Sequence, residues 1–148
     1  MGRKTRGAIL SMKTEQEIDE LMCKAVEAGL DGLDFMAEFD YATIAREYNG
    51  IGPAFLDEKA REKLSKYLAL FAPAAVVHDM RYSISDGTRG SFNFANIEFW
   101  GNCRALAANA YGWLNWRRYR AYAAADVLFE AVSSQAGWVA WCEAARKY

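Results

Sequence analysis

FNFANIEFWGNCRALAANAY, residues Phe92 to Tyr111, decides the fold class. Phe92, Asn96, Phe99, Cys103, Leu106 and Ala110 recur at spacings of four, three, four, three and four, the period of one face of an α-helix. A half-buried strand would need alternation at every second residue, and little of that pattern occurs anywhere in the chain. Gly112 ends the helix.

The neighbouring segments read the same way. Downstream, a helix is predicted from about Leu114 to Val132, with Tyr119, Tyr122, Asp126 and Phe129 as its inward stripe. Gly137 should separate it from a last helical segment holding Trp138, Val139, Trp141 and Cys142. Upstream, Ser85 to Gly90 reads as a turn. Pro73 should interrupt a charged amphipathic helix running from about Asp57 to Leu70 and open a new one reaching Tyr82 or Ser83. Two glycines and a proline in Tyr48-Asn49-Gly50-Ile51-Gly52-Pro53 force a loop. Residues 30–47 suggest one or two short helical turns. Thr14 and Glu17 form a capping box for a helix whose apolar face is Ile18, Leu21, Met22, Ala25 and Val26, and Gly29 stops it. The expected architecture is an all-α, single-domain helical bundle over residues 14–148. Residues 1–13 form a flexible basic lead-in, and the Pro73–Tyr82 helix lies antiparallel to a neighbour.

Bulk properties narrow the function. The 148 residues are 53% hydrophobic and 14% aromatic, enough for one packed domain. A net charge of −1 argues against a binder of nucleic acid driven by bulk positive charge. Cys23, Cys103 and Cys142 are too few and too scattered for a disulfide framework, and read as small buried residues in a reducing compartment. No secretory signal and no 18-residue apolar run is visible, so the location expected by default is cytoplasmic.

One place carries chemistry. His78 is the chain's single histidine, Asp79 follows it, and Tyr82 lies one turn on along the same face. His78 and Asp79 point about 100° apart, so they do not pair with each other. Glycines in the upstream loop let backbone carbonyls turn towards a hard cation, and calcium takes carbonyls together with a carboxylate. A histidine beside that metal can deprotonate a water while the metal polarises an ester. Asp126, on an otherwise apolar stripe, needs an inward partner, and His78 is the candidate.

The segments Tyr48-Asn49-Gly50-Ile51-Gly52 and His78-Asp79-Met80-Arg81-Tyr82 resemble the calcium loop and histidine helix of the phospholipase A2 superfamily. The resemblance implies that the carbonyls of Tyr48, Gly50 and Gly52, with the Asp79 carboxylate, hold calcium. It implies that His78 is the general base for water attacking a glycerophospholipid ester, and that a carboxylate on a neighbouring helix orients it. Parvovirus capsid phospholipase domains, which carry A-D-x-x-F on that helix, are nearer in pattern. Ala125-Asp126-Val127-Leu128-Phe129 matches fully, one helix late, whereas Ala95-Asn96-Ile97-Glu98-Phe99 has the place but an amide. A group of phage-associated bacterial proteins is similar over Arg120 to Phe129 and Gly137 to Trp141. Two departures stand out: an additional helix between glycine loop and histidine helix, and the missing disulfides.

Asp126 is the expected orienter, because a carboxylate stabilises an imidazolium better than an amide. The expected function is a calcium-dependent esterase of phospholipase A2 type. The alternative is a catalytically silent member of the same fold, acting as a structural or interaction module, and Asn96 at His78 in place of Asp126 favours it. The bland readings are an ordinary turn for the glycine loop and an arginine partner, Arg104 or Arg120, for Asp126. Trp113, Trp116, Arg117 and Arg118 suit a phospholipid or membrane surface, or single-stranded nucleic acid, or else are core aromatics with solvated arginines. No Walker loop or dinucleotide fingerprint is present, and a two-histidine phosphohydrolase is excluded by the histidine count.

Overall fold

Thr14 accepts from Glu17 N–H at 3.1 Å and Gly29 closes the first helix at φ 67, so the start and stop signals both act as expected. A computed structural model describes residues 13–50 and 57–147. Gly52 and nearly all of the basic lead-in lie outside the described residues. Among the described residues there are seven helices and no strand. They are α1 (Glu15–Ala28), α2 (Leu33–Met36), α3 (Tyr41–Glu47), α4 (Glu58–Ser83), α5 (Arg89–Ala110), α6 (Trp116–Val132) and α7 (Gln135–Ala145).

The centre of the domain is α4 against α5 and α5 against α6, with α1 and α3 covering α4 from one side and α7 from another. Buried alanines line these contacts: Ala74 and Ala75 on α4, Ala95 and Ala107 on α5, Ala121, Ala124 and Ala125 on α6. Small side chains let helix backbones approach closely. Phe71, Val76, Val77, Met80, Phe99 and Leu128 fill the remaining space. No described helix is long and apolar enough to cross a membrane.

Three expectations about the helices are corrected, and one about the cysteines. Pro73 does not end a helix: α4 runs unbroken through it for 26 residues, so the extra helix expected before His78 is the same rod. Proline inside a helix costs about 3 kcal/mol. Here its ring is fully buried, and Ala69, whose carbonyl loses its helical donor, lies on the exposed side. Gly137 does not separate helices either. It is buried inside α7, where a Cβ would collide with the Val132 carbonyl, and Ser133 and Ser134 make the break instead. Finally, α6 faces inward with Ala121, Ala125, Leu128 and Val132, at spacings of four, three and four. Tyr119 and Asp126 lie on its exposed side. Of the cysteines, Cys103 is buried as expected, but Cys23 is exposed.

Candidate functional site

α4 and α5 bring His78 and Asn96 together. The His78 ring is 5% exposed and lies between Tyr82 and Phe99, with ring centroids 4.6 and 4.7 Å away. Its Nε2 is 2.8 Å from Asn96 Oδ1, and the Tyr82 hydroxyl donates to the same oxygen at 3.4 Å. Asn96 Nδ2 donates to the Val132 carbonyl at 3.3 Å. A carbonyl can only accept, so the amide nitrogen must face Val132 and the amide oxygen must face His78. Nε2 therefore carries the proton, and Nδ1 of the neutral ring keeps its lone pair.

Asp126 is elsewhere. It is exposed on α6 and accepts from Trp100 Nε1 at 2.7 Å. The full A-D-x-x-F match thus has no part in the histidine site, and the amide-bearing Ala95–Phe99 motif supplies the partner. The cause is the inward face of α6, which its alanines form and its tyrosines do not.

The electrostatics follow from the partner. Burial pulls His78 down to about 4, and the Asn96 hydrogen bond raises it only in part. Among the described residues no carboxylate stands opposite to stabilise an imidazolium. At neutral pH the ring is uncharged and a weak base, far from the match to working pH that general-base catalysis favours.

Asp79 leaves α4 in the other direction. Its Oδ2 accepts from Asn49 N–H at 2.8 Å and from Gly50 N–H at 3.0 Å. Gly50 is at φ 74, and the Tyr48 ring folds back beside it. Burial pushes the Asp79 carboxyl up to about 7, against the pull of the two amides. Burial, then the nearby Asp79 charge, pushes the Tyr48 hydroxyl up to about 12. Tyr48, Gly50 and Asp79 are therefore brought together, here through amide-to-carboxylate hydrogen bonds. A calcium loop turns carbonyl oxygens to the cation. What this turn presents to the carboxylate is two N–H groups, which satisfy an anion and repel a cation. Among the described residues only Asp79 offers a carboxylate at this turn, and Gly52, the third expected carbonyl, lies outside them.

Sequence reasoning missed a second polar group on α5. Glu98 is buried and forms a two-point ion pair with Arg81, 3.0 Å at each nitrogen. Arg81 also lies over the Phe35 ring at 3.9 Å. One turn on, Asn102 accepts from Asp31 N–H at 2.8 Å and donates to Asp31 O at 3.0 Å, fixing the α1–α2 turn. Glu98 and Asn102 are four apart, which places both on one helix face and was the available signal. Compared with protein-family models, with curated proteins and with solved structures, the chain matches none.

Proposed function

We propose that this chain is a catalytically silent, phospholipase A2-like helical module that serves as a structural or interaction element. The observation that carries the reading is Asn96 Oδ1 at 2.8 Å from His78 Nε2, where the resemblance calls for a carboxylate. An amide fixes the ring and its tautomer, but it supplies no negative charge when the ring takes a proton. The Asp79 carboxylate supports the same reading, because its hydrogen bonds hold the Tyr48–Gly50 turn directly.

The test is hydrolysis of several phospholipid classes, with calcium and with chelator, by the wild type and by Asn96→Asp. The silent reading expects no turnover by the wild type. Turnover that requires calcium and disappears in His78→Gln would overturn it and establish the esterase.

A further inference from the structure

Between α5 and α6 the chain makes a tight turn that holds large apolar side chains out in solvent. Trp113 is 69% exposed, Leu114 80% and Trp116 61%. Single exposed apolar residues are ordinary, but three within four positions are a patch. The turn that bears them is locked. Asn115 N–H donates to Gly112 O at 2.9 Å, and the Asn115 side chain caps α6 by accepting from Arg117 N–H at 3.0 Å. The Tyr119 hydroxyl donates to the Trp113 carbonyl at 2.6 Å. A patch on a pre-ordered turn loses little entropy on binding.

Along the chain, the charge next to it is of one sign. From Phe99 to Ala125 the chain has no Asp or Glu and has four arginines: Arg104, Arg117, Arg118 and Arg120. Arg117 and Arg120 lie beside the Trp116 ring, while Lys24 and Glu27 of α1 come near the end of α5 at Asn109 and Ala110. The next acid along α6, Asp126, is held by Trp100 Nε1.

We propose that the Trp113–Arg120 turn is a docking site for an anionic lipid surface, with Trp113, Leu114 and Trp116 entering the headgroup–acyl boundary and the arginines meeting lipid phosphates. Indole rings favour that boundary, and arginines beside them add attraction to anionic headgroups. Single-stranded nucleic acid is the less suitable partner. It needs free aromatic faces for base stacking, whereas Arg120 lies 5.0 Å and Arg117 5.7 Å from the Trp116 ring centre. Leu114, the most exposed of the three, has no ring to offer a base but suits acyl chains. The surface is separate from the histidine site: it follows the end of α5, about 21 Å along the helix axis from Asn96. The proposal stands whether or not His78 is catalytic.

Flotation of the full chain with vesicles tests it. One set is phosphatidylcholine alone and the other contains phosphatidylglycerol. Binding should favour the anionic vesicles and fall as salt is raised. Replacing Arg117 or Arg120 by Gln should weaken that binding about fivefold each. Leu114→Glu and the pair Trp113→Ala, Trp116→Ala should abolish it while the melting temperature is unchanged, since these side chains touch no core. His78→Gln should bind vesicles like the wild type. Equal recovery on both vesicle types, or binding that survives the tryptophan changes, overturns the proposal. So does a single-stranded oligonucleotide that binds through the same residues when vesicles do not, and so does a dimer that dissociates on Leu114→Glu in the absence of vesicle binding.

Discussion

His78 Nε2 and Asn96 Oδ1 face each other at 2.8 Å across the α4–α5 interface, and the far side of the same amide is anchored on the Val132 carbonyl. The imidazole is thus held in one orientation by a group that cannot change its own charge. Its low basicity is a property of that pairing and of burial together. Replacing the amide by a carboxylate changes one of the two. In Asn96→Asp, an anion at hydrogen-bond distance should raise the His78 pKa by about one to three units, as read by NMR titration of the ring. An unshifted ring would show that the introduced carboxyl group has turned away or taken up a proton. The cost is the lost bond to Val132 O, which then faces a carboxylate oxygen, about 1–3 kcal/mol, read by denaturant unfolding.

The pH dependence of stability should betray both buried groups. His78 titrates at about 4 in the fold and near 6.5 when unfolded. Between those values the unfolded chain binds the extra proton, so falling pH destabilises the fold through His78, by roughly 3 kcal/mol across the window. Asp79 works with the opposite sign. Its folded value of about 7 lies above 3.8, so the fold holds the proton and rising pH through that range destabilises it. The two slopes oppose each other between about pH 4 and 6.5, and the wild type should be nearly flat there. Asp79→Asn should expose the rising His78 slope, and His78→Gln should expose the falling Asp79 slope. Parallel curves for all three proteins would contradict these assignments.

Calcium should leave the melting temperature where chelator leaves it. Binding at a hundredfold excess over the dissociation constant would add about 2.7 kcal/mol, which a thermal scan resolves easily. Asp79→Ala should lower stability by about 1–3 kcal/mol with or without calcium, since it strips the acceptor from Asn49 and Gly50 N–H. A calcium-dependent shift in the wild type that Asp79→Ala removes would restore the metal site.

Breaking the Arg81–Glu98 pair should be among the costliest single changes. The Glu98 side chain is only 5% exposed and Arg81 22%. Arg81→Ala leaves a buried carboxylate without its partner and should cost about 3 kcal/mol or more, whereas changing both residues to apolar ones of similar size should cost much less. A double-mutant cycle by denaturant unfolding measures the difference, and a coupling near zero would place the pair among surface ion pairs in energetic terms.

What was legible in the sequence was local. Thr14 and Gly29 act within one helical turn, and the stripe is buried from Phe92 to Leu106, anchored by Phe92, Phe99 and Leu106, so both could be read directly, although its last member, Ala110, is exposed. The orientation of α6 was not legible, because its buried residues are mostly alanines, which carry little hydrophobic signal, while tyrosines sit at its rim. That one reversal moved Asp126 to the surface and left Asn96 at the histidine. The chemical preference for a carboxylate was sound as chemistry, but packing chose the partner. Pro73 and Gly137 misled for the same kind of reason. Each usually breaks a helix, yet Pro73 fits a buried position in α4, and Gly137 is needed where α7 crosses the Val132 carbonyl.

That crossing links the histidine to the last helix of the chain. Val132 O accepts from Asn96 and lies where any side chain at position 137 would have to go. When α7 opens, the carbonyl gains freedom, the amide loses its anchor, and the imidazole N–H becomes exchangeable. The α7 amides, the Asn96 side-chain amide and the His78 ring proton should therefore share one opening free energy in hydrogen exchange. The solvent-facing amides of the Trp113 turn lie outside it and should exchange earlier. On that expectation, solvent reaches the histidine ring proton only as often as the last helix lets go.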